Sequence, residues 1–151
     1  MADKARIIIV DDDETIRKSI ATVLQTAGYI VDTAQSGKEA IEKTNSNFYN
    51  LALIDIRLPD MEGVQLLTGL KDTTPKMVKI MLTGYPSMQN AIDAVNKGAD
   101  GYVVKPAKMD DLLKVVKEKL SKQQEARQYS EEKVTEFIES RVKELEDKDK
   151  Q

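Results

Sequence analysis

The 151-residue chain contains no cysteine and no histidine. Without cysteine there can be no disulfide and no thiolate metal site. Without histidine there is no imidazole ligand and no imidazole acid–base chemistry. Any chemistry therefore falls to carboxylates, lysine, hydroxyls or a bound hard metal. Long apolar runs are missing too. No stretch approaches the ~18 uncharged apolar residues of a membrane-spanning helix. The apolar run after Met1-Ala2-Asp3-Lys4-Ala5-Arg6 is only four residues long, too short for the core of a secretory signal. There is also no basic stripe of the kind that tracks a phosphate backbone. The expectation is a soluble cytoplasmic protein with no direct nucleic-acid binding and no membrane insertion.

What is present is enough apolar sequence for a packed core, 40% of residues, beside a high charged fraction of 32%. Residues 1–122 carry 17 basic and 17 acidic groups, and residues 123–151 carry 6 and 9, so the net charge of −3 sits in the tail. Residues 1–121 are expected to form one domain, and residues 122–151 a helical extension or linker.

Short apolar runs alternate with helical spacing along the first part of the chain. Ile7-Ile8-Ile9-Val10 is β-branched, as suits a strand buried on both faces. Ile16, Ile20, Val23, Leu24 and Ala27 recur at helical spacing up to Gly28. Tyr29-Ile30-Val31 reads as a second strand, and Ser36 with Glu39 has the spacing of a capping box for a second helix. Leu51-Ala52-Leu53-Ile54 is a third strand ending on Asp55. Val64 to Leu70 reads as helix, and Val78 to Leu82 as a fourth strand. Pro86 precedes a helix that Gly98 ends. Tyr102-Val103-Val104 is a fifth strand, and a last helix begins near Met109. Alternating strands and helices of this kind form a parallel sheet covered on both faces. With right-handed crossovers, the common five-stranded order is 2-1-3-4-5, the flavodoxin-like doubly wound α/β fold.

In such a sheet the functional crevice lies beyond the carboxyl ends of the strands. The first strand here ends in Asp11-Asp12-Asp13, the third in Asp55, the fourth in Thr83 and the fifth in Lys105. Taken singly, each has an ordinary reading: solvated loop acids, a helix cap, a surface lysine. Together they bring acids, one hydroxyl and one amine to a single crevice. Crowded carboxylates repel one another unless a cation intervenes. An all-oxygen set suits Mg²⁺. A carboxylate can then attack phosphorus and form an aspartyl-phosphate, a reaction helped mainly by positioning and charge neutralisation.

These stretches resemble the receiver domain of two-component response regulators over residues 5 to about 121. The resemblance is carried by Ile7 to Asp13 and by Leu53-Ile54-Asp55-Ile56-Arg57-Leu58-Pro59-Asp60-Met61-Glu62-Gly63. Met81-Leu82-Thr83-Gly84 and Gly98-Ala99-Asp100-Gly101-Tyr102-Val103-Val104-Lys105-Pro106 add to it. Residues 85–95 are also similar to receivers of enhancer-binding transcriptional activators.

The resemblance implies that Asp55 accepts a phosphoryl group from a sensor histidine kinase or a phosphotransfer protein. It implies that Asp11, Asp12, Asp55 and the Arg57 carbonyl hold Mg²⁺, Asp11 mostly through water. Lys105 would pair with the phosphoryl group, Thr83 would move to hydrogen-bond it, and Tyr102 would turn inward behind Thr83. Asp13 matches a position outside the family's pocket, the Lys105–Pro106 bond is usually cis, and Ala107 stands where Phe is usual. Arg57 and Tyr85 flank the path of an attacking water. The function implied is a switch, not a metabolic enzyme, beyond self-phosphorylation and slow autodephosphorylation.

Two alternatives remain at this point. Asp11-x-Asp13-x-Thr15 also fits a haloacid-dehalogenase-type phosphatase, with Asp11 as nucleophile and Asp13 as acid–base. A degenerate receiver binding partners without phosphorylation is the other. From Ser121 the chain is rich in Lys, Glu and Gln, has no proline or glycine and favours helix. Val134, Phe137, Ile138, Val142 and Leu145 form one apolar stripe, which predicts a homodimer through the last two helices and the extension.

Overall fold

The computed structural model describes residues 4–105 and 108–149. The elements follow the order β1 (Arg6–Val10), α1 (Glu14–Thr26), β2 (Ile30–Ala34), α2 (Gly37–Ser46) and β3 (Leu51–Asp55), then α3 (Gly63–Gly69), β4 (Val78–Thr83), α4 (Met88–Asn96), β5 (Gly101–Val104) and α5 (Met109–Asp149). All four strand pairings are parallel, and the sheet order is β2-β1-β3-β4-β5, as the alternating pattern predicts.

The period-2 geometry of a strand divides the apolar run of β1 between two cores. Ile8 and Val10 join Ala52, Ile54 and Met81 on one face, covered by Ala40 of α2, Val64, Leu66 and Leu67 of α3, and Ala94 of α4. Ile7 and Ile9 join Leu53, Ile80 and Leu82 on the other face, under Ile20 and Leu24 of α1 and Leu112 and Val116 of α5. The central strands β1, β3 and β4 are buried on both faces, which is why they read as largely apolar runs; Lys79 of β4 is buried too, its ammonium donating to Leu67 O at 3.2 Å.

The edges depart from the sequence reading. Strand β2 runs to Ala34, beyond the apolar stretch, because Asp32 and Thr33 pair in register with Ile8 and Ile9. Tyr29 falls outside it and donates its amide to Leu24 O. At α2, Ser36 caps as expected, accepting from Glu39 N. The Glu39 carboxylate, however, accepts from Gln35 N instead of Ser36 N. Gly28 and Gly98 both adopt φ of 101°, a conformation that suits glycine at a helix end. Pro106 and Ala107, with the cis bond and the packing change expected there, lie outside the described residues.

Helix α5 crosses the expected boundary at residues 121–122 without a break. It starts at the carboxyl end of the sheet and runs back past the amino end, where Gln123 Nε2 donates to Asn50 O and Lys76 O. From Gln124 to Lys148 every side chain is exposed. At 1.5 Å per residue this projecting segment extends roughly 40 Å from the end of the sheet opposite Asp55. No helix among the described residues is long and apolar enough to cross a membrane.

Candidate functional site: an acidic pocket at the strand ends

The sheet delivers the predicted residues to one place. Asp55 closes β3, and Asp11 and Asp12 follow β1, the strand paired with β3 through Val10 and Ile54. Asp11, Asp12 and Asp55 each offer an oxygen within 4.8 Å of the others. Lys105 follows β5, its amide anchored to Thr83 O at 2.7 Å. Its ammonium lies 2.6 Å from Asp11 Oδ2 and 3.3 Å from Asp55 Oδ2. β4 lies between β3 and β5 in the sheet, so the lysine reaches across it.

Burial grades these acids. Asp11 is inaccessible, Asp55 is partly buried and Asp12 is exposed. Both Asp11 oxygens are engaged: Oδ1 accepts from Asp13 N at 2.9 Å and Oδ2 from Lys105. Its carbonyl accepts from Arg17 Nη1 at 2.7 Å. Asp55 Oδ1 accepts from Arg57 N at 3.2 Å.

Burial first, and the Asp11 charge second, push the Asp55 carboxyl above the usual carboxylate range, against the pull of Lys105 and the Arg57 amide. For Lys105, burial alone would lower the pKa, but the bond to Asp11 and the charges of Asp11 and Asp55 outweigh it and hold the amine above its ordinary value. The pocket therefore holds more negative charge than one ammonium balances. That is the electrostatic condition under which a divalent cation binds to oxygen ligands. The donor set fits Mg²⁺, with Asp12 and Asp55 as the carboxylates best placed to ligate and Asp11 already committed to protein donors.

The remaining predicted residues are placed as follows. Thr83 is buried at the end of β4, and its hydroxyl accepts from Tyr85 N at 3.0 Å. Arg57 stacks on Tyr85, its guanidinium carbon 4.2 Å from the ring centroid. Thus the two residues expected to flank an attacking water contact each other. Tyr102, expected to turn inward behind Thr83, has its ring packed against the core that includes Ile54 and Met81, and its hydroxyl is buried with no partner among the described residues. The β5 register opposite Met81 explains this, because it aims the side chain at that core.

The orphaned hydroxyl gives a stability prediction. Tyr102→Phe should leave the fold unchanged or stabilise it by about 1 kcal/mol, since it removes a desolvated polar group with no bond to lose. Thermal unfolding of the two proteins checks this, and a clear loss of stability would count against the unpartnered placement.

Asp13 caps α1, accepting from Ile16 N at 3.1 Å. This geometry runs against the phosphatase alternative. Its nucleophile, Asp11, would be inaccessible and bonded at both oxygens, and its acid–base, Asp13, caps a helix away from the acid cluster. Sequence reading missed other residues that shape the pocket. Asp60 accepts from Gly37 N and Lys38 N, both at 2.9 Å, tying the loop after β3 to the start of α2. These two backbone bonds hold its carboxyl below the ordinary range. Gly63 donates to Ile56 O at 2.6 Å and closes that loop against the end of β3. Arg17 carried no sequence signal, whereas Gly63 belonged to a recognised stretch without an assigned role.

Residues 7–117 match the response regulator receiver domain family. The chain belongs to that family. It is 31% identical over 119 residues to the transcriptional regulatory protein ZraR of Escherichia coli (strain K12), covering 79% of this chain and 27% of ZraR. It thus spans about a quarter of that relative's length. The kinship with activator receivers expected from residues 85–95 is met by such relatives.

A CheY-like response regulator receiver domain protein from Methanospirillum hungatei JF-1 superposes with a TM-score of 0.78 at 45% identity, over 82% of this chain and 99% of that one. A response regulator protein from Burkholderia pseudomallei, solved with a phosphorylated aspartic acid, calcium ion and citrate, gives 0.71 at 31% identity, over 82% and 72%. The chain is therefore a receiver domain of the two-component response regulator type, with the CheY-like flavodoxin fold.

Proposed function

We propose that Asp55 is the phosphoryl-accepting residue of this receiver, taking the group from a sensor histidine kinase or a phosphotransfer protein. The observation that carries this is the place of Asp55 at the end of the central strand, 3.3 Å from the Lys105 ammonium and within 4.8 Å of two further carboxylates. An Asp55 oxygen attacks phosphorus, the bond from phosphorus to the donor's leaving group breaks, and an acyl phosphate remains on the protein. Lys105 is placed to neutralise charge on the phosphoryl oxygens. Mg²⁺, held by Asp12, Asp55 and the Arg57 carbonyl, with Asp11 behind them, would add the remaining positive charge.

Thr83 supplies the switch. Its hydroxyl is bonded to the Tyr85 amide in this structure and would turn to the phosphoryl group, freeing the loop that starts α4. That loop and helix present Tyr85, Met88, Ile92 and Val95 to solvent beside Val104 of β5. This is a surface whose shape the phosphoryl group could control. The reading is a cytoplasmic switch rather than a metabolic enzyme. Its catalysis is limited to its own phosphorylation and slow dephosphorylation, and no direct contact with nucleic acid or membrane is proposed. Residues 1–121 are read as the switch and residues 122–151 as the extension through which copies self-associate.

The test of the pocket is a metal titration. Asp12→Ala should weaken Mg²⁺ binding at least tenfold and slow acetyl-phosphate labelling in proportion, because it removes the exposed carboxylate of the three. Unchanged Mg²⁺ affinity would refute the assignment. The test of self-association is sedimentation of the full chain with and without a beryllofluoride mimic. A dimer strengthened by the mimic is expected, and a dimer indifferent to it would separate the extension from the switch.

A further inference from the structure

Helix α5 carries its buried face out of the domain. At about 100° per residue, the side of the helix that turns Val116 and Leu120 toward the sheet also bears Val134, Ile138 and Leu145. There it has no sheet to meet: these three side chains are 58%, 54% and 51% exposed. Phe137 and Val142 flank them on either side. Charged residues punctuate the same line, so the seam reads Glu131, Val134, Ile138, Arg141, Leu145, Lys148 at alternating steps of three and four.

We propose that this seam pairs with the same seam of a second copy, and that the two helices run antiparallel. The proposal rests on the self-association reading above and adds its geometry. Charge along the seam decides the direction. In a parallel pair each seam residue faces its own copy. Glu131 would meet Glu131, Arg141 would meet Arg141 and Lys148 would meet Lys148, so half the layers would oppose like charges. In an antiparallel pair centred between residues 139 and 140, Glu131 meets Lys148 at both ends. Val134 meets Leu145, and Ile138 packs on the aliphatic stem of Arg141.

The body of the domain adds complementary charge. A groove of about 690 Å³ lies where α5 leaves the body, between the loop at Thr74–Met77 and the helix. Lys76, Lys119, Lys122 and Arg127 line it against two acids, Asp100 and Glu131. In this register the second copy's Lys148 lies against Glu131, an acid that lines the groove. The antiparallel pair also holds the two receivers at opposite ends of the helix pair, leaving each Asp55 pocket and each α4–β5 surface free for kinase and target.

Because the chain has no cysteine, introduced thiols report only on the pair chosen. In the full chain under mild oxidation, Glu131→Cys alone and Lys148→Cys alone should each stay monomeric on a non-reducing gel. An equimolar mixture of the two should give a disulfide-linked dimer. Self-cross-linking of either single variant at the level of the mixture would mean a parallel pair and overturn the proposal. So would a mixture that fails to cross-link although the unmodified chain sediments as a dimer. A chain monomeric at every concentration would overturn the pairing and leave the seam to a different protein, without touching phosphorylation at Asp55, which intact mass reads separately.

A charge swap gives an independent readout. Lys148→Glu should weaken the dimer about tenfold, since it opposes Glu131 at both ends. Adding Glu131→Lys should restore it. A parallel pair would be indifferent to both changes.

Discussion

Asp55→Asn is expected to abolish phosphoryl incorporation from acetyl phosphate and Mg²⁺, where the unmodified chain gains one phosphoryl group by intact mass. An amide nitrogen or its carbonyl cannot form the acyl phosphate that a carboxylate oxygen forms. Neither Asp11, inaccessible with both oxygens bonded, nor Asp13, engaged as the α1 cap, is placed to substitute for it. Asp13→Asn should accordingly label like the unmodified chain, since asparagine caps a helix about as well as aspartate. Labelling of Asp55→Asn at the unmodified level would remove the assignment. Loss of labelling in Asp13→Asn alone would revive the phosphatase alternative.

The same variant has a stability signature whose sign follows from the pocket. Burial and Asp11 raise the Asp55 pKa in the folded protein. Its charged form therefore costs stability above the folded pKa, and that cost fades as pH falls through the folded pKa toward the ordinary value of 3.8. In EDTA, Asp55→Asn should be more stable than the unmodified chain near neutrality, and the difference should shrink as the pH approaches 4. Mg²⁺ should reverse the order, because it binds the carboxylate form and stabilises it by mass action. A variant less stable than the unmodified chain at neutral pH in EDTA would mean that Lys105 outweighs burial and Asp11 together.

The second large effect is expected at a glycine. A Cβ on Gly63 would fall inside the contact distance of the Asp55 carbonyl oxygen, and 3.0 Å from both the Asp55 carbonyl carbon and Ile56 Cα. These are backbone atoms of the strand end that carries the acceptor, so no side chain can swing away to make room. Gly63→Ala should cost about 3 kcal/mol, which lowers the melting temperature by roughly 10 °C for a domain of this size. The surviving folded protein should phosphorylate slowly, because the loop from Ile56 to Gly63 must move away from the strand end. Gly84→Ala is the control: a Cβ there meets nothing within 4 Å, and its stability should change little. A Gly63→Ala protein with unmodified melting temperature and labelling rate would show that the loop yields more easily than the close approach implies.

Much of this protein was legible before any coordinates. Apolar runs marked β1, β3 and β4, because strands buried on both faces favour apolar side chains; Lys79, inside β4, is buried as well, with its ammonium donating to Leu67 O. Alternation with helical spacing implied the sheet order, and the order brought Asp11, Asp12, Asp55, Thr83 and Lys105 to one edge. Sequence reading was weakest where a residue's partner is distant along the chain. Asp60 sat in a recognised stretch with no role of its own, yet its carboxylate ties the loop after β3 to α2, 22 and 23 residues away. Gly63 had no assigned role because nothing local shows that the Asp55 carbonyl lies against it.

The sequence by itself determined the strand pattern, the acid set and the apolar stripe of the extension, since each is a property of spacing along one chain. Only the tertiary structure decided how the acids differ. It buried Asp11, covered most of Asp55, left Asp12 in solvent and gave Lys105 to two of them, and burial depends on what packs above a residue rather than on its neighbours in sequence. It also packed the Tyr102 ring against the core that includes Ile54 and Met81. Finally, it decided that the extension leaves from the end of the sheet opposite the pocket, because a helix following a parallel strand must run back along it.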